Sequence, residues 1–366
     1  MSGTSVDAVD CALLACADGH VDLLATHEHE IPAPIRGKID AISHSGPNEI
    51  ERMGVLDREL GLLFGEAALQ LLATSHTDAG TIAAIGSHGQ TIRHRPASIT
   101  ATADSSFTLQ IGDANTIAEY TGITTVADFR RRDVAAGGEG APLAPAFHAA
   151  TLAREGVNRA IVNIGGIANI SLLRGHNLEQ GFDTGPGNTL LDNWTMRHLG
   201  QAFDGGGQWA ASGQCAPVLL EQLLSTPYFS KTGPRSTGKE LFNLNWLDEQ
   251  LSGFPDLAPV DVQATLAEFT VSSITRAITS SPLTVDEIYI CGGGAHNKHL
   301  MKGLQEQTNQ STVDTTQAIG LDPDWVEAAA FAWLACQTLQ GLPGNAPAVT
   351  GAAGPRVLGA IYPGTV

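Results

Sequence analysis

The sequence predicts an α/β protein built from two related units. Its 366 residues suffice for about two hydrophobic cores. Short apolar strands alternate with helical patterns along the whole chain. A strand–glycine turn–strand pattern also occurs twice, around Gly3-Thr4-Ser5-Val6-Asp7 and around Gly165-Gly166-Ile167-Ala168-Asn169, as duplicated halves would produce.

After the turn at Met1–Ser5, Val6 to Ala17 reads as an apolar strand. Residues 31–73 read as helices, with Ile39, Ile42, Ile50, Met53, Leu56, Leu60, Leu63 and Phe64 at near-helical spacing. Thr81 to Ser87 reads as a buried strand that ends in the turn Gly86-Ser87-His88-Gly89-Gln90-Thr91. Phe107–Ile111 and Ile123–Ala127 read as strands flanking a helix, and Ala135 to Pro145 as a loop entering a helix. The second unit opens with strands at Arg159–Ile164 and Ile167–Leu173. Helices follow near 187–200, 214–225 and 261–280, then the strand Glu287–Cys291 and a helix over Trp325–Leu339.

With 20 Lys and Arg against 38 Asp and Glu, the net charge is −18, which argues against nucleic acid or an anionic membrane surface as a main partner. Charged residues at 16% and hydrophobic residues at 43% describe a globular chain. The five cysteines contain no CxxC pair, which argues against a disulfide framework or a structural zinc site. With no basic-then-apolar leader and no run of about 18 apolar residues, the expected setting is the cytoplasm.

Three glycine turns follow apolar strands: Gly3-Thr4-Ser5, Gly165-Gly166 and Gly292-Gly293-Gly294. Each is either a plain turn or a place where backbone N–H groups approach phosphate oxygens. Gly233 to Lys239 has the spacing of a phosphate-binding P-loop, but Glu240 replaces the magnesium-binding hydroxyl and no apolar strand precedes it, so that reading fails. Asp183, in Gly181-Phe182-Asp183-Thr184-Gly185-Pro186-Gly187-Asn188, reads as a turn-stabilising or capping carboxylate, or as a rigidly held general base. Five of the basic residues sit at Arg93, Arg95 and Arg130-Arg131-Arg132; the last run is a solvated face or an anion-binding group. His88 and His94 flank Gln90-Thr91, as parts of a satisfied turn or as contacts to a polar substrate. Glu327 is a first-turn carboxylate or a partly buried functional one. The pair His27 and His29 fits a strand edge better than a metal site.

Taken in order, these motifs resemble those of the anhydro-N-acetylmuramic acid kinases. The resemblance rests on Met1-Ser2-Gly3-Thr4-Ser5 with Asp7 and Asp10, Gly86–Thr91, Ala127-Asp128-Phe129-Arg130, Asn163–Asn169, Phe182–Asn188 and Cys291-Gly292-Gly293-Gly294-Ala295-His296-Asn297. It covers essentially the whole chain. It implies the sugar kinase, actin and Hsp70 type of fold, with two ribonuclease H-like domains facing a central cleft. Residues 1–127 plus 342–366 would form the first domain and 128–341 the second.

The resemblance also implies ATP and Mg²⁺, and a homodimer acting in the cytoplasm in peptidoglycan recycling. Asp183 would be the catalytic base. Gly3, Thr4, Ser5, Val6, Asp7, Ala8, Val9, Asp10, Gly165, Gly166 and Asn169 would serve the phosphates, with Asp7 near the metal through water. Gly292, Gly293, Gly294 and Asn297 would hold the adenosine. Gln90, Thr91, Arg130 and Glu327 would face the sugar, with Arg130 on its lactyl carboxylate. The sequence departs from the family pattern twice. Ala8 stands where glycine is usual, and the sequence starts at Met1 where the family usually carries a strand before Met-Ser-Gly-Thr-Ser, so that strand is missing or the start site is misassigned; a non-catalytic ligand-binding member of the fold therefore stands against the kinase. A metal-dependent sugar hydrolase built on the histidine pair is a further rival.

Overall fold

The apolar run after the first turn forms β1 (Ala8–Ala17), and the alternating stretch after it forms β2 (His20–Glu30), antiparallel to β1. The computed structural model describes residues 1–3, 6–17, 20–100, 102–230, 237–238 and 241–365. Thr4 and Ser5, and Gly233–Ser236, Lys239 and Glu240 of the rejected P-loop, lie outside the described residues. Next come α1 (Ala33–Ile42) and α2 (Glu49–Thr74), whose inward stripe of Leu56, Leu60, Leu63, Phe64 and Ala67 packs in one core with Val9 and Ile31.

β3 (Ile85–Ser87), β4 (Gln90–Arg95) and β5 (Phe107–Ile111) follow. Asp113 begins α3 (Ala114–Thr121) by accepting from the N–H groups of Asn115 and Thr116 at 3.1 Å each. Then come β6 (Thr125–Ala127), α4 (Arg131–Ala135) and α5 (Ala144–Thr151).

The second unit spans Leu152–Asp324. It contains β7 (Asn158–Ile164), β8 (Ile167–Arg174) and β9 (Asn177–Pro186). The helices α6 (Thr189–Leu199), α7 (Gln208–Ser212), α8 (Pro217–Leu224), α9 (Leu244–Leu251) and α10 (Pro259–Thr279) lead to β10 (Glu287–Cys291), α11 (Lys298–Gln307) and β11 (Thr312–Thr315). Its sheet runs β11-β10-β7-β8-β9, antiparallel within β7-β8-β9 and parallel within β7-β10-β11. That is the ribonuclease H-like order, with a buried central strand and α10 covering one face.

The chain then returns to the first unit as α12 (Val326–Leu339), α13 (Pro347–Thr350) and β12 (Ala360–Tyr362). This unit comprises Met1–Thr151 and Trp325–Val366. Its strands fall into β1-β2, β12-β6-β3 and β4-β5, with β3 parallel and β12 antiparallel to β6.

The unit boundaries differ from those expected, 127/128 and 341/342. Residues 128–151 and 325–341 belong to the first unit because their aromatic side chains are buried in it. Phe129 lies 5.7 Å from Phe331 and Phe147 lies 5.9 Å from Trp333, ring to ring. Two local expectations also change. Only Ile85–Ser87 of the stretch from Thr81 is strand, and Thr81–Ile85 is partly or fully exposed. Asp183 lies within β9 and not on a turn.

Candidate active site

The Asp183 carboxylate is aimed by a β-bulge. Ala168 pairs with Gly185 and Asn169 with Asp183, so Thr184 is an extra residue in β9. A bulge turns the local side chains out of regular alternation and is common beside functional sites. Thr184 is fully buried, and its hydroxyl donates to the carbonyl of Ala168 at 3.2 Å, which locks the irregularity. Tyr228 and Thr237 are among the residues that grip Asp183. The Tyr228 hydroxyl donates to its backbone carbonyl at 2.5 Å, and the N–H of Thr237 donates to Oδ2 at 2.9 Å.

The Gly165-Gly166 turn between β7 and β8 is braced from behind. The N–H of Gly187 donates to the Gly166 carbonyl at 2.9 Å and that of Asn188 to the Gly165 carbonyl at 2.8 Å. The Asn188 side chain adds a 3.0 Å bond to the Ile164 carbonyl. Gly187 must lack a side chain, because a Cβ there would overlap the Gly165 carbonyl oxygen. Asn169 lies opposite Asp183 on β8.

Gly292, Gly293 and Gly294 follow β10 beside the end of β7, where a Cβ on Gly294 would collide with Ile164. A Cβ on Gly293 would meet only the Asn188 amide, at 3.7 Å. The Asn297 side-chain oxygen starts α11, accepting from the N–H groups of His299 and Leu300 at 3.1 Å.

In the first unit, Arg130 is fixed by three partners. Its Nε donates to His88 Nε2 at 3.0 Å, one terminal nitrogen donates to the Gly140 carbonyl at 2.8 Å, and the guanidinium stands 5.9 Å from the centre of the Phe331 ring. Because Nε2 accepts from Arg130, His88 is neutral. Burial, then the Arg130 charge and the N-terminal ammonium, push its pKa well down. Burial lowers Arg130 itself to about 10 against the pull of Glu327 and Asp133.

Glu327, in the first turn of α12, retains solvent access but is crowded by protein. The crowding raises its pKa, opposed by Arg130 and the N-terminus. Gln90 is buried, accepts from the Ser2 hydroxyl at 2.6 Å and donates to the Thr91 carbonyl at 3.3 Å. The Thr91 hydroxyl accepts from Gln110 at 3.1 Å.

Asp7 is exposed ahead of buried Ala8 and Val9, and Val6 adopts φ 58°. Asp10 is raised to about 6, first by burial and then by Glu28, Asp7 and Glu327, against the lowering effect of the N-terminal ammonium. A divalent cation would relieve this crowding of carboxylates. Magnesium commonly takes one or two carboxylates, with water and phosphates completing its shell, so Asp7 and Asp10 fit that role.

Arg93 and Arg131 are in ion pairs, with Glu49 at 2.7 Å and Asp128 at 3.2 Å. Arg130 is held instead by His88 and the Gly140 carbonyl. His27 and His29 lie on the free-edged strand β2, and no metal-binding group of three ligands includes them among the described residues.

The family model of anhydro-N-acetylmuramic acid kinase matches residues 1–364. The chain belongs to the anhydro-N-acetylmuramic acid kinase family. A relative of that name from Coxiella burnetii (strain Dugway 5J108-111) is 50% identical over 364 residues, 99% of this chain and 96% of the relative. One from Shewanella loihica is 49% identical over 365 residues, 100% of this chain and 97% of the relative. Among solved structures, the activator of the 2-hydroxyisocaproyl-CoA dehydratase from Clostridium difficile with bound ADPNP aligns with a TM-score of 0.43 at 10% identity, over 89% of this chain and 92% of that one.

Within a kinase of this family, the residues added to the sequence reading are those that hold its candidates in place. Tyr228 and Thr237 hold Asp183, while His88 and Gly140 hold Arg130. Local sequence carries little signal for such partners. Thr237 and Asp183 are 54 positions apart, and Thr237 contributes only a backbone N–H.

Proposed function

We propose that this kinase consumes ATP and water to open 1,6-anhydro-N-acetylmuramic acid and phosphorylate its O6, giving N-acetylmuramic acid 6-phosphate and ADP. The observation that carries the proposal is the Asp183 carboxylate. The bulge aims it, and one oxygen is tied by the Thr237 N–H. A carboxylate fixed in direction can accept a proton from water without reorganising.

In this reading, Asp183 removes a proton from water as its oxygen attacks the anomeric carbon. The bond from that carbon to the bridging oxygen breaks, and its electron pair stays on O6. O6 then displaces ADP from the γ-phosphate in line. The leaving group of the first displacement is thus the acceptor of the second. No second carboxyl is needed as acid, unlike in a glycosidase. Magnesium, when bound, neutralises charge on the phosphates.

Gly3, Val6 to Asp10 and the braced turn Gly165-Gly166, with Asn169, are assigned to the phosphates, and Thr4 and Ser5 go with them by sequence. Asp7 is assigned to the metal through water. Gly292, Gly293, Gly294 and Asn297 are assigned to the adenosine. Gln90, Thr91, Arg130 and Glu327 are assigned to the sugar. Arg130, held on an apolar ring, offers its remaining N–H groups to the lactyl carboxylate. The family resemblance supports a homodimer in the cytoplasm serving peptidoglycan recycling. Among the described residues, no helix is long and apolar enough to cross a membrane. ADP release that depends strictly on added anhydro-sugar tests the reading, and ATP hydrolysis at the same rate without the sugar would overturn it.

A further inference from the structure

Asp133 is a buried carboxylate that the proposed chemistry does not use. It lies in α4, three residues after Arg130, and is fully buried. A carboxylate can only accept hydrogen bonds, and burying one is costly unless donors meet its oxygens. Donors meet both oxygens of this one. The N–H of Gly140 donates to Oδ2 at 2.9 Å, and the Asn345 amide and the Thr350 hydroxyl each donate to Oδ1 at 2.8 Å.

These partners come from two places in the chain. Gly140 lies in the loop after α4, whereas Asn345 and Thr350 lie just before and within α13, 212 and 217 positions from Asp133. Backbone bonds join the two segments as well. The N–H of Glu139 donates to the Thr350 carbonyl and that of Ala353 to the Ala136 carbonyl, both at 2.8 Å. Asn345 is held in turn, because its side-chain oxygen accepts from the Arg356 N–H at 2.7 Å. The loop has little slack. Gly140 adopts φ 72°, and a Cβ there would run into the Val134 side chain.

The brace fixes the other side of Gly140. The Gly140 carbonyl accepts from a terminal nitrogen of Arg130 at 2.8 Å. Asp133 and Arg130 thus engage the two polar groups of one glycine, the carboxylate its N–H and the guanidinium its C=O. Nε of Arg130 donates to His88 at 3.0 Å. A planar guanidinium bonded at two of its nitrogens has its direction set, and bidentate binding of a carboxylate depends on that direction.

We propose that Asp133 is a positioning residue for anion recognition by Arg130: anchored by Asn345 and Thr350, it holds Gly140 so that the Gly140 carbonyl aims the guanidinium at the carboxylate of the sugar. The proposal rests on the assignment of Arg130 to that carboxylate. Aim and charge act in opposite senses here. The Asp133 charge lies near enough to Arg130 to favour its charged form. It also repels a bound anion, so a purely electrostatic role would make acid binding stronger once the charge is removed.

Calorimetry without ATP compares the affinity for 1,6-anhydro-N-acetylmuramic acid with that for its methyl ester, which has nearly the same shape and no charge. The ratio of the two is the acid preference, and a general loosening of the site lowers both affinities without moving it. Arg130→Ala should abolish the preference. Asp133→Ala removes the acceptor for the Gly140 N–H and should lower the preference about tenfold or more. Asp133→Asn keeps an oxygen for that N–H and removes the charge, so the preference should be kept or rise. If Asp133→Ala does not fold, Thr350→Val decides in its place: it loosens the anchor, keeps the carboxylate and should lower the preference severalfold.

A preference lost in Arg130→Ala but intact in the folded anchor variant would overturn the proposal and leave the assignment of Arg130 standing. Equal losses of acid and ester affinity in the anchor variant would mark a structural role and overturn it too, as would a rise in preference in Asp133→Ala. A preference that survives Arg130→Ala would overturn the assignment of Arg130 and the proposal with it.

Discussion

The backbone N–H of Thr237 donates to Oδ2 of Asp183 at 2.9 Å, across 54 positions of sequence. This bond ties one oxygen of the proposed base and fixes the direction of the carboxylate. Asp183→Asn should abolish turnover while ATP still binds, as measured by single-turnover assay and calorimetry. Substantial residual turnover would reject Asp183 as the base.

Thr237→Pro removes the N–H donor together with the hydroxyl, and fixes φ. A hydrogen bond to a charged group is worth about 1.5–3 kcal/mol, so kcat should fall roughly ten- to a hundredfold with ATP affinity unchanged. Comparison with Thr237→Ala, which keeps the N–H, separates the backbone group from the hydroxyl.

The glycines after β10 should differ among themselves. Gly294→Ala forces a methyl into Ile164 and should lower stability by about 1–3 kcal/mol. Gly293→Ala meets only an ordinary contact and should fold normally, yet raise the KM for ATP if adenosine lies against it. Thermal melts and ATP titrations of the two variants check this.

The pH dependence of stability has opposing parts. Burial lowers His148 to about 3, so the unfolded chain binds the extra proton between about pH 3 and 6.5. Stability from this group is present above that window and lost as pH falls through it, and His148→Gln should remove up to roughly 4–5 kcal/mol of acid sensitivity. Asp10, raised to about 6, works in the other sense, because the folded chain holds the extra proton between about pH 4 and 6. Stability from Asp10 therefore falls as pH rises through that window. Allowing for solvent screening, Asp10→Asn should gain about 1–2 kcal/mol at pH 7 while losing activity. Denaturant titrations across pH 4–7 read both effects.

Much of the element order was legible because apolar periodicity marks it: β5, β7, β8, β10, α6, α10 and α12 lie close to their expected places. Asp183 stood out as a candidate base but was not legible as a strand residue, because the glycines and proline around it signal a turn while β8 supplies the pairing that makes it β9. The unit boundaries were not legible, because the aromatic burial of Phe147 against Trp333 joins residues 186 positions apart. Thr81–Ile85 misled for the opposite reason. Its apolar composition predicts burial, but Thr81–Ile85 is partly or fully exposed and only Ile85 enters a strand.

Turnover in ¹⁸O-labelled water tests the central claim most directly. If Asp183 activates water against the anomeric carbon, label enters the anomeric hydroxyl of the product sugar and the phosphate stays unlabelled. Label in the phosphate, with none at the anomeric carbon, would contradict the account.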